Sequence, residues 1–269
     1  MRELCTIAQV SPSGYYRFLQ QKHFPLKDQH DIDLVSAKVF KGKQKWGYRM
    51  VCMKLKEDGT IMNHKKVRRI MRQEGLLARI RRTNPYKKIN QKGPDHMVAP
   101  NLLDRQFNVS QPATVLCTDI TYLKFHDRFV YLSVVKDIAS GEVVAWYLDR
   151  SLHLPLVLRT LEQLDPRIYG NALIHSDQGW HYTHPTYVST LKDMNITQSM
   201  SRKGNCIDNA PIESFFGHFK DEIDFSACRS FEELCVCMSD YMHYYNNKRH
   251  QWNKNKMTPM QYRSHMLSL

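Results

Sequence analysis

The chain has 269 residues, 42 % of them apolar, with only 11 glycines and 11 prolines, which suits one large core plus a smaller companion and excludes a disordered or repetitive protein. Its net charge of +13 sits in the first hundred residues, where 22 Lys and Arg face 8 Asp and Glu; the remaining 169 residues carry 17 against 18. That asymmetry predicts a nucleic-acid partner for the first third. Seven cysteines, odd in number and without zinc-ligand spacing, read as reduced thiols of a cytosolic protein. No apolar run is long enough to predict a membrane span or a secretory leader.

In chain order, the first signal is "QVSPSGYYRFL", where Ser11 and Pro12 form a helix-opening pair. It reads either as the latter part of a helix-turn-helix or as a surface helix. Residues 46–82 predict two short helices joined at "EDGT". Asn63 caps the second, Val67, Ile70 and Met71 supply its apolar stripe, and Gly75 suits a left-handed exit. The other face carries Lys65, Lys66, Arg68, Arg69 and Arg72, followed by Arg79, Arg81 and Arg82. This density predicts phosphate contact, which positions nucleic acid without reading its sequence. Residues 83–112, with Pro85, Pro94, Pro100 and Pro112, read as a linker.

The pattern then changes to strands over 114–125, 129–136 and 141–148, close enough together for an antiparallel meander. A helix over 155–164, the strand "NALIHSD", a helix over 184–194 and the strand "NITQSM" complete a mixed α/β sheet. The helix opened by Asn209 places Ile212, Phe215, Phe216 and Phe219 on an apolar side and Glu213, Gly217 and Lys220 on the opposite one. Ser230 and Glu233 predict a capping box before "FEELCVCMSDYMHYYNN", whose Tyr241, Tyr244 and Tyr245 read as packing, and Thr258 with Pro259 opens a final turn.

Three acidic residues fall where strands and a helix should converge: Asp119 in "VLCTDITYLKF", Asp177 in "ALIHSDQGW" and Glu213 in "DNAPIESFFGHFK". Carboxylates brought together are costly unless a cation binds between them, and an all-oxygen set suits a divalent metal. His175 and His181 lie near Asp177 and read as core or surface histidines rather than phosphate contacts.

These segments, with "WGYRMV", "NHKKVRRIMRQEGL", "IHSDQGWHYTHPTY", "SMSRKGNCIDNAPIESFFGHFKDE" and "YMHYYNNKRHQWNKNKMTPMQYR", resemble the catalytic subunit of IS3-family insertion-sequence transposases, whose core belongs to the retroviral-integrase superfamily. The 35 residues between Asp177 and Glu213 are the spacing known for that family. The resemblance implies a ribonuclease-H-like α/β fold, a mixed five-stranded sheet with flanking helices, preceded by a basic helical region. It divides the chain into a helix-turn-helix-like DNA-binding region (1–82), a linker (83–112), a catalytic core (113–225) and a C-terminal helical extension (226–269).

The implied activity is metal-dependent DNA cleavage and strand transfer at insertion-sequence ends. Asp119, Asp177 and Glu213 would hold a pair of Mg²⁺ ions, for which Mn²⁺ can substitute. Lys203 and Lys220 join Lys65, Lys66, Arg68, Arg69 and Arg72 as expected DNA contacts. Implied partners are double-stranded DNA at element ends and target, an upstream-frame product or fusion, and further copies of the chain; the implied location is a prokaryotic cytoplasm, with the nucleoid and away from membranes. The family commonly has tryptophan where Cys117 stands and tyrosine where Trp46 stands. On the residues alone, two further readings stay open: a DNA-bound regulatory protein without turnover, and a nuclease of the same fold directed at RNA or a recombination junction.

Overall fold

The computed structural model describes residues 2–23, 28–78, 98–202 and 206–268. The chain divides into two compact units, Met1–Arg79 and Ile80–Leu269.

The first unit is helical: α1 (Arg2–Ile7), α2 (Pro12–His23), α3 (Gln29–Lys41), α4 (Tyr48–Glu57) and α5 (His64–Gln73). The Ser11 hydroxyl accepts the Gly14 N–H at 3.0 Å, so the Ser-Pro pair opens α2 as its chemistry predicts. Helices α3, α4 and α5 pack around Val35, Val39, Val51, Leu55, Val67 and Ile70, all buried. Asn63 caps α5 by accepting the Lys65 N–H at 2.9 Å, and Gly75 at φ 66° turns the chain out of it. Sequence reasoning placed α4 and α5 and left α3 unassigned.

The second unit is built on a five-stranded sheet in the order β3-β2-β1-β4-β5. Its elements are β1 (Val115–Phe125), β2 (Arg128–Asp137), β3 (Val143–Asp149), α6 (Leu154–Leu161), α7 (Pro166–Tyr169), β4 (Leu173–Ser176), α8 (Trp180–Thr183), α9 (Pro185–Asp193), β5 (Thr197–Met200), α10 (Ala210–Glu222), α11 (Phe231–Asn247) and α12 (Pro259–Leu267). The predicted meander forms antiparallel β1–β2 and β2–β3 pairs, and the later crossovers add β4 and β5 in parallel. Gly141, at φ 80°, closes the β2–β3 turn, where the buried Asp137 carboxylate accepts the Ser140 N–H at 3.0 Å.

Each sheet face has its own core. Cys117, Leu123, Val130, Leu132 and Val134 pack against Ile212, Phe215 and Phe219 of α10 and Leu234, Met238 and Tyr245 of α11. On the opposite face, Leu116, Val135 and Ala145 meet Val157 and Leu161 of α6, Tyr182 of α8, and Tyr187 and Leu191 of α9. Antiparallel register puts Asp119 opposite Val134, on the face that α10 covers.

Two helix starts depart from expectation. Ser230 accepts the Glu233 N–H at 3.1 Å, but the Glu233 carboxylate takes the Arg229 N–H at 2.7 Å instead of closing a box on Ser230. Thr258 forms a full capping box with Gln261, and the final turn extends into the nine-residue α12. The sheet order and its helices make this a ribonuclease-H-like fold. Among the described residues, no helix is long and apolar enough to cross a membrane.

Candidate active site and nucleic-acid contacts

The last parallel-paired positions of β1 and β4 are Cys117 and His175. Asp119 and Asp177 each lie two residues further on, so neighbouring strands deliver the two carboxylates to one end of the sheet. Asp119 is half-buried and its Oδ1 accepts the Ile120 N–H at 2.7 Å. Asp177 follows β4 in an exposed turn, where its Oδ1 accepts the Gly179 N–H at 2.8 Å. A Cβ at Gly179 would stand 2.9 Å from that oxygen, so glycine is what lets the backbone approach the carboxylate.

Although Asp177 is exposed as a residue, protein packed around its carboxyl raises its pKa by desolvation, and the Gly179 N–H works in the opposite direction. Tyr182 of α8 is buried in the core of the sheet face opposite α10. Its phenol is held well above its ordinary pKa, first by burial and then by the charges of both Asp119 and Asp177. One buried group therefore senses both carboxylates. Cys117, fully buried on β1, is pushed up to about 12 by burial, against the opposing influence of Lys136, and stays a thiol rather than a metal-binding thiolate.

Glu213 enters from α10, one turn past the helix start. Asn209 looks like an N-cap, but its amide Nδ2 instead donates to the Thr118 carbonyl of β1 at 3.2 Å. Lys136 of β2 donates to the Pro211 carbonyl at 3.1 Å. These two bonds fasten the start of α10 to β1, which carries Asp119, and to its neighbour β2. Glu213 is exposed. A Cβ at Gly217 would meet nothing within 4 Å, and the Lys220 ammonium lies 5.1 Å from the centre of the Tyr122 ring. The donor set is all oxygen, as Mg²⁺ prefers. Among the described residues, however, no three Asp, Glu, His or Cys side chains are gathered closely enough to hold a metal ion.

Asp208, an acidic residue that sequence reasoning passed over, organises the approach to α10. Asp208 is 0 % exposed at its side chain, covered by the partly exposed guanidinium groups of Arg105 and Arg202. It accepts from Arg105 Nε at 2.7 Å, Arg202 Nε and backbone N at 3.0 Å each, and Asn101 Nδ2 at 3.2 Å. The Arg202 hydrogen bond leads in holding its pKa well below the usual carboxylate range, with Arg105 adding to it and desolvation opposing.

Both histidines near Asp177 are buried. His175 is buried, with Nδ1 2.9 Å from the Ser199 hydroxyl, which also accepts the Leu102 N–H at 2.9 Å. His181 is buried, and that burial lowers its pKa to about 4.

In the helical unit the basic residues of α5 separate into two groups. Lys66 pairs with Asp28 at 3.0 Å and with Asp31, while Arg69 pairs with Asp28 and donates to Gln73 at 2.9 Å. Lys65, Arg68 and Arg72 are exposed on the other side, with Arg68 5.6 Å from the Tyr48 ring centre. Lys203, Arg79, Arg81 and Arg82 lie outside the described residues.

Residues 109–206 and 213–267 match two families both described as "Integrase core domain", and residues 27–84 match an "HTH-like domain". The HTH-like match spans α3–α5, leaving α2 outside it. Over 267 residues the chain is 33 % identical to a putative transposase, InsK, for insertion sequence element IS150 of Escherichia coli (strain K12), covering 97 % of this chain and 93 % of that protein. It is 39 % identical over 217 residues to an uncharacterized transposase-like protein of Haemophilus influenzae, covering 80 % of this chain and 99 % of that one. The fold is similar to a chain of the simian T-cell lymphotropic virus intasome, with a TM-score of 0.51 and 15 % identity over 86 % of this chain and 74 % of that one.

Proposed function

The chain belongs to the IS3-like family of insertion-sequence transposases, in the retroviral-integrase superfamily, and we propose that it cleaves DNA at insertion-sequence ends and transfers the strand in a divalent-metal-dependent reaction. Family membership makes it a DNA-acting enzyme of the transposase and integrase type. The observation that carries the finer reading is the delivery of Asp119 and Asp177 by adjacent parallel strands to one end of the sheet, with Glu213 on a helix fastened to the strand of Asp119.

Asp119, Asp177 and Glu213 are the residues that would hold Mg²⁺, with two ions per site and Mn²⁺ as a substitute. When bound, the metal supplies Lewis acidity at the scissile phosphate. The protein's own part is positional. The Gly179 N–H aims the Asp177 carboxylate, and the Asn209 and Lys136 bonds fix where α10 presents Glu213. Lys220, at the far end of the same helix face, binds backbone phosphate, as do Lys65, Arg68 and Arg72 of the helical unit and Lys203. Lys66 and Arg69 contribute only when their carboxylate partners release them. The partners are double-stranded DNA at element ends and target, further copies of this chain, and an upstream-frame product or fusion, in the nucleoid of a prokaryotic cytoplasm.

The reading as a DNA-bound regulator without turnover draws on one observation, that three carboxylates are not gathered for a metal among the described residues. Cleavage and strand transfer on DNA carrying the element's ends, with Mg²⁺ or Mn²⁺, separate the two. Metal-dependent products that disappear in Asp119→Asn support the enzyme. Products that persist in that variant refute the site. Their absence from both this chain and a fusion with the upstream-frame product favours the regulator.

A further inference from the structure

We propose that the outer face of the β1–β2 hairpin is a stacking platform for unpaired bases of the DNA strand beside the reacting phosphate, formed by Tyr122, Phe129 and Tyr131 with Lys124, Arg128 and Lys220 around it. The assignment of DNA as the ligand rests on the function proposed above. The register supplies the alternation: Tyr122 pairs with Tyr131 and Lys124 with Phe129, so aromatic and cationic side chains share one face. That face belongs to the core formed with α6 and α9 only as far as Ile120, which still packs against it. Beyond that point Tyr122 is 58 % and Phe129 51 % exposed. Their rings meet edge to face at 5.5 Å, so the edge of one covers part of the other, and the Lys220 ammonium stands 5.1 Å from the Tyr122 ring centre. Exposed Lys124 and Arg128 flank them.

Charge and position identify the occupant. A hairpin that only needed stability could carry threonine or lysine at these sites, since exposed aromatic surface on a strand invites association. Rings interleaved with cations suit a polyanion whose bases have π-faces, and stacking of this kind tolerates any base. The location fits a DNA strand in the active site. Tyr122 is three residues along β1 from Asp119, about 10 Å at strand rise, and although alternation sends the two side chains to opposite faces, Lys220 of the Glu213 helix reaches the Tyr122 ring. Lys220 is seven residues along α10 from Glu213, again about 10 Å at helix rise. Both distances equal about three base steps. Between Glu213 and Lys220 the helix face is open, because the space beyond Gly217 holds no atom within 4 Å of a Cβ. A base inside a duplex cannot lie flat on a protein ring, so the platform is selective for unpaired nucleotides.

The test measures binding of an oligothymidine 12-mer and of a 12-base-pair duplex to the full chain carrying Asp119→Asn, so that no turnover is needed. Tyr122→Thr and Phe129→Thr keep strand propensity and are expected to weaken single-strand binding about five- to a hundredfold per ring while changing duplex binding less than twofold. In a separate variant, Tyr122→Trp is expected to retain the affinity and to have its fluorescence quenched by the oligothymidine. Equal losses on both DNAs, or no loss on either, would overturn the platform. So would a change in sedimentation on Tyr122→Thr without DNA, which would assign the face to contact between copies of the chain. Failure of cleavage by the wild-type chain would count against the proposed catalysis and leave this binding result intact.

Discussion

Replacing Arg68 and Arg72 together with alanine is expected to cut the salt dependence of DNA binding, whereas removing the neighbouring ion-paired set is not. The structure divides α5 into exposed Lys65, Arg68 and Arg72 on one side and Lys66 and Arg69 on the other, the latter two held by Asp28 and Asp31. Those carboxylates already neutralise their partners, and Arg69 followed by Lys66 pulls the Asp28 pKa down. Each lost phosphate contact removes about 0.9 from the slope of log K against log salt, so the Arg68 and Arg72 double variant should lose about 1.8. Between 50 and 200 mM salt that amounts to an affinity drop about twelvefold smaller than the wild type suffers. The control is Asp28→Asn, Asp31→Asn, Lys66→Gln and Arg69→Gln combined, which leaves net charge unchanged and should leave the slope within about 0.5 of wild type. Fluorescence anisotropy of a labelled 30-base-pair duplex across a salt series, with circular dichroism to verify folding, gives both slopes. Equal slope losses in the two variants, or a greater loss in the control, would refute the sorting of α5 into engaged and available cations.

Stability is expected to depend strongly on the pair that joins α10 to the end of α11. Arg249 and Glu222 are only 8 % and 10 % exposed at their side chains, with contacts of 2.6 and 2.8 Å. Glu222→Ala strands a buried guanidinium and should cost about 3–5 kcal/mol in urea unfolding, and a loss below about 1 kcal/mol would contradict its burial. The pH response follows from His181. Its folded pKa of about 4 lies below the unfolded value near 6.5, so the unfolded chain takes up the proton first and stability falls as pH drops from 6.5 toward 4. Between pH 7.5 and 5 the wild type should lose about 2 kcal/mol more than His181→Phe, and parallel curves would argue against a buried neutral imidazole. Gly179→Ala should displace the Asp177 carboxylate and lower cleavage with little change in melting temperature; unaltered cleavage would show that the close approach does not position the carboxylate. Gly217→Ala, at a helical position with open space, should raise stability by about 0.5–1 kcal/mol in thermal unfolding, and a loss would reveal an unrecognised contact.

The strand meander, the crossovers and the helix of Glu213 were legible because β-branched runs, short turns and a repeating apolar side chain spacing are local signals. Asn63 and Gly75 perform the roles their chemistry suggests. What the sequence concealed depends on residues far apart along the chain. The Lys66–Asp31 bond spans 35 positions and the Arg69–Asp28 bond 41, so two of the five cations on a helix that reads as uniformly basic are neutralised by carboxylates at the start of α3. Asn209 carries the cap signature, yet its amide crosses to a strand 91 residues earlier. Asp208, beside it, has no local sign that two arginines cover it, since Arg105 is 103 residues away. The acidic triad was expected from where its residues fall among the predicted elements and from family spacing; the structure adds a β1–β4 register that ends two residues before both Asp119 and Asp177.

The Asp208 clasp also bears on how the enzyme is made. Asn101 and Arg105 bond to residue 208, and the Leu102 N–H bonds to Ser199, spanning 107, 103 and 97 positions respectively. Contacts of such range must wait for loop closure and slow the folding of the unit they complete. On a ribosome, the segment leading into β1 emerges long before the carboxylate that fastens it. The catalytic unit therefore reaches its final form only late in synthesis, while the helical unit, whose α5 ion pairs span at most 41 positions, can fold well before.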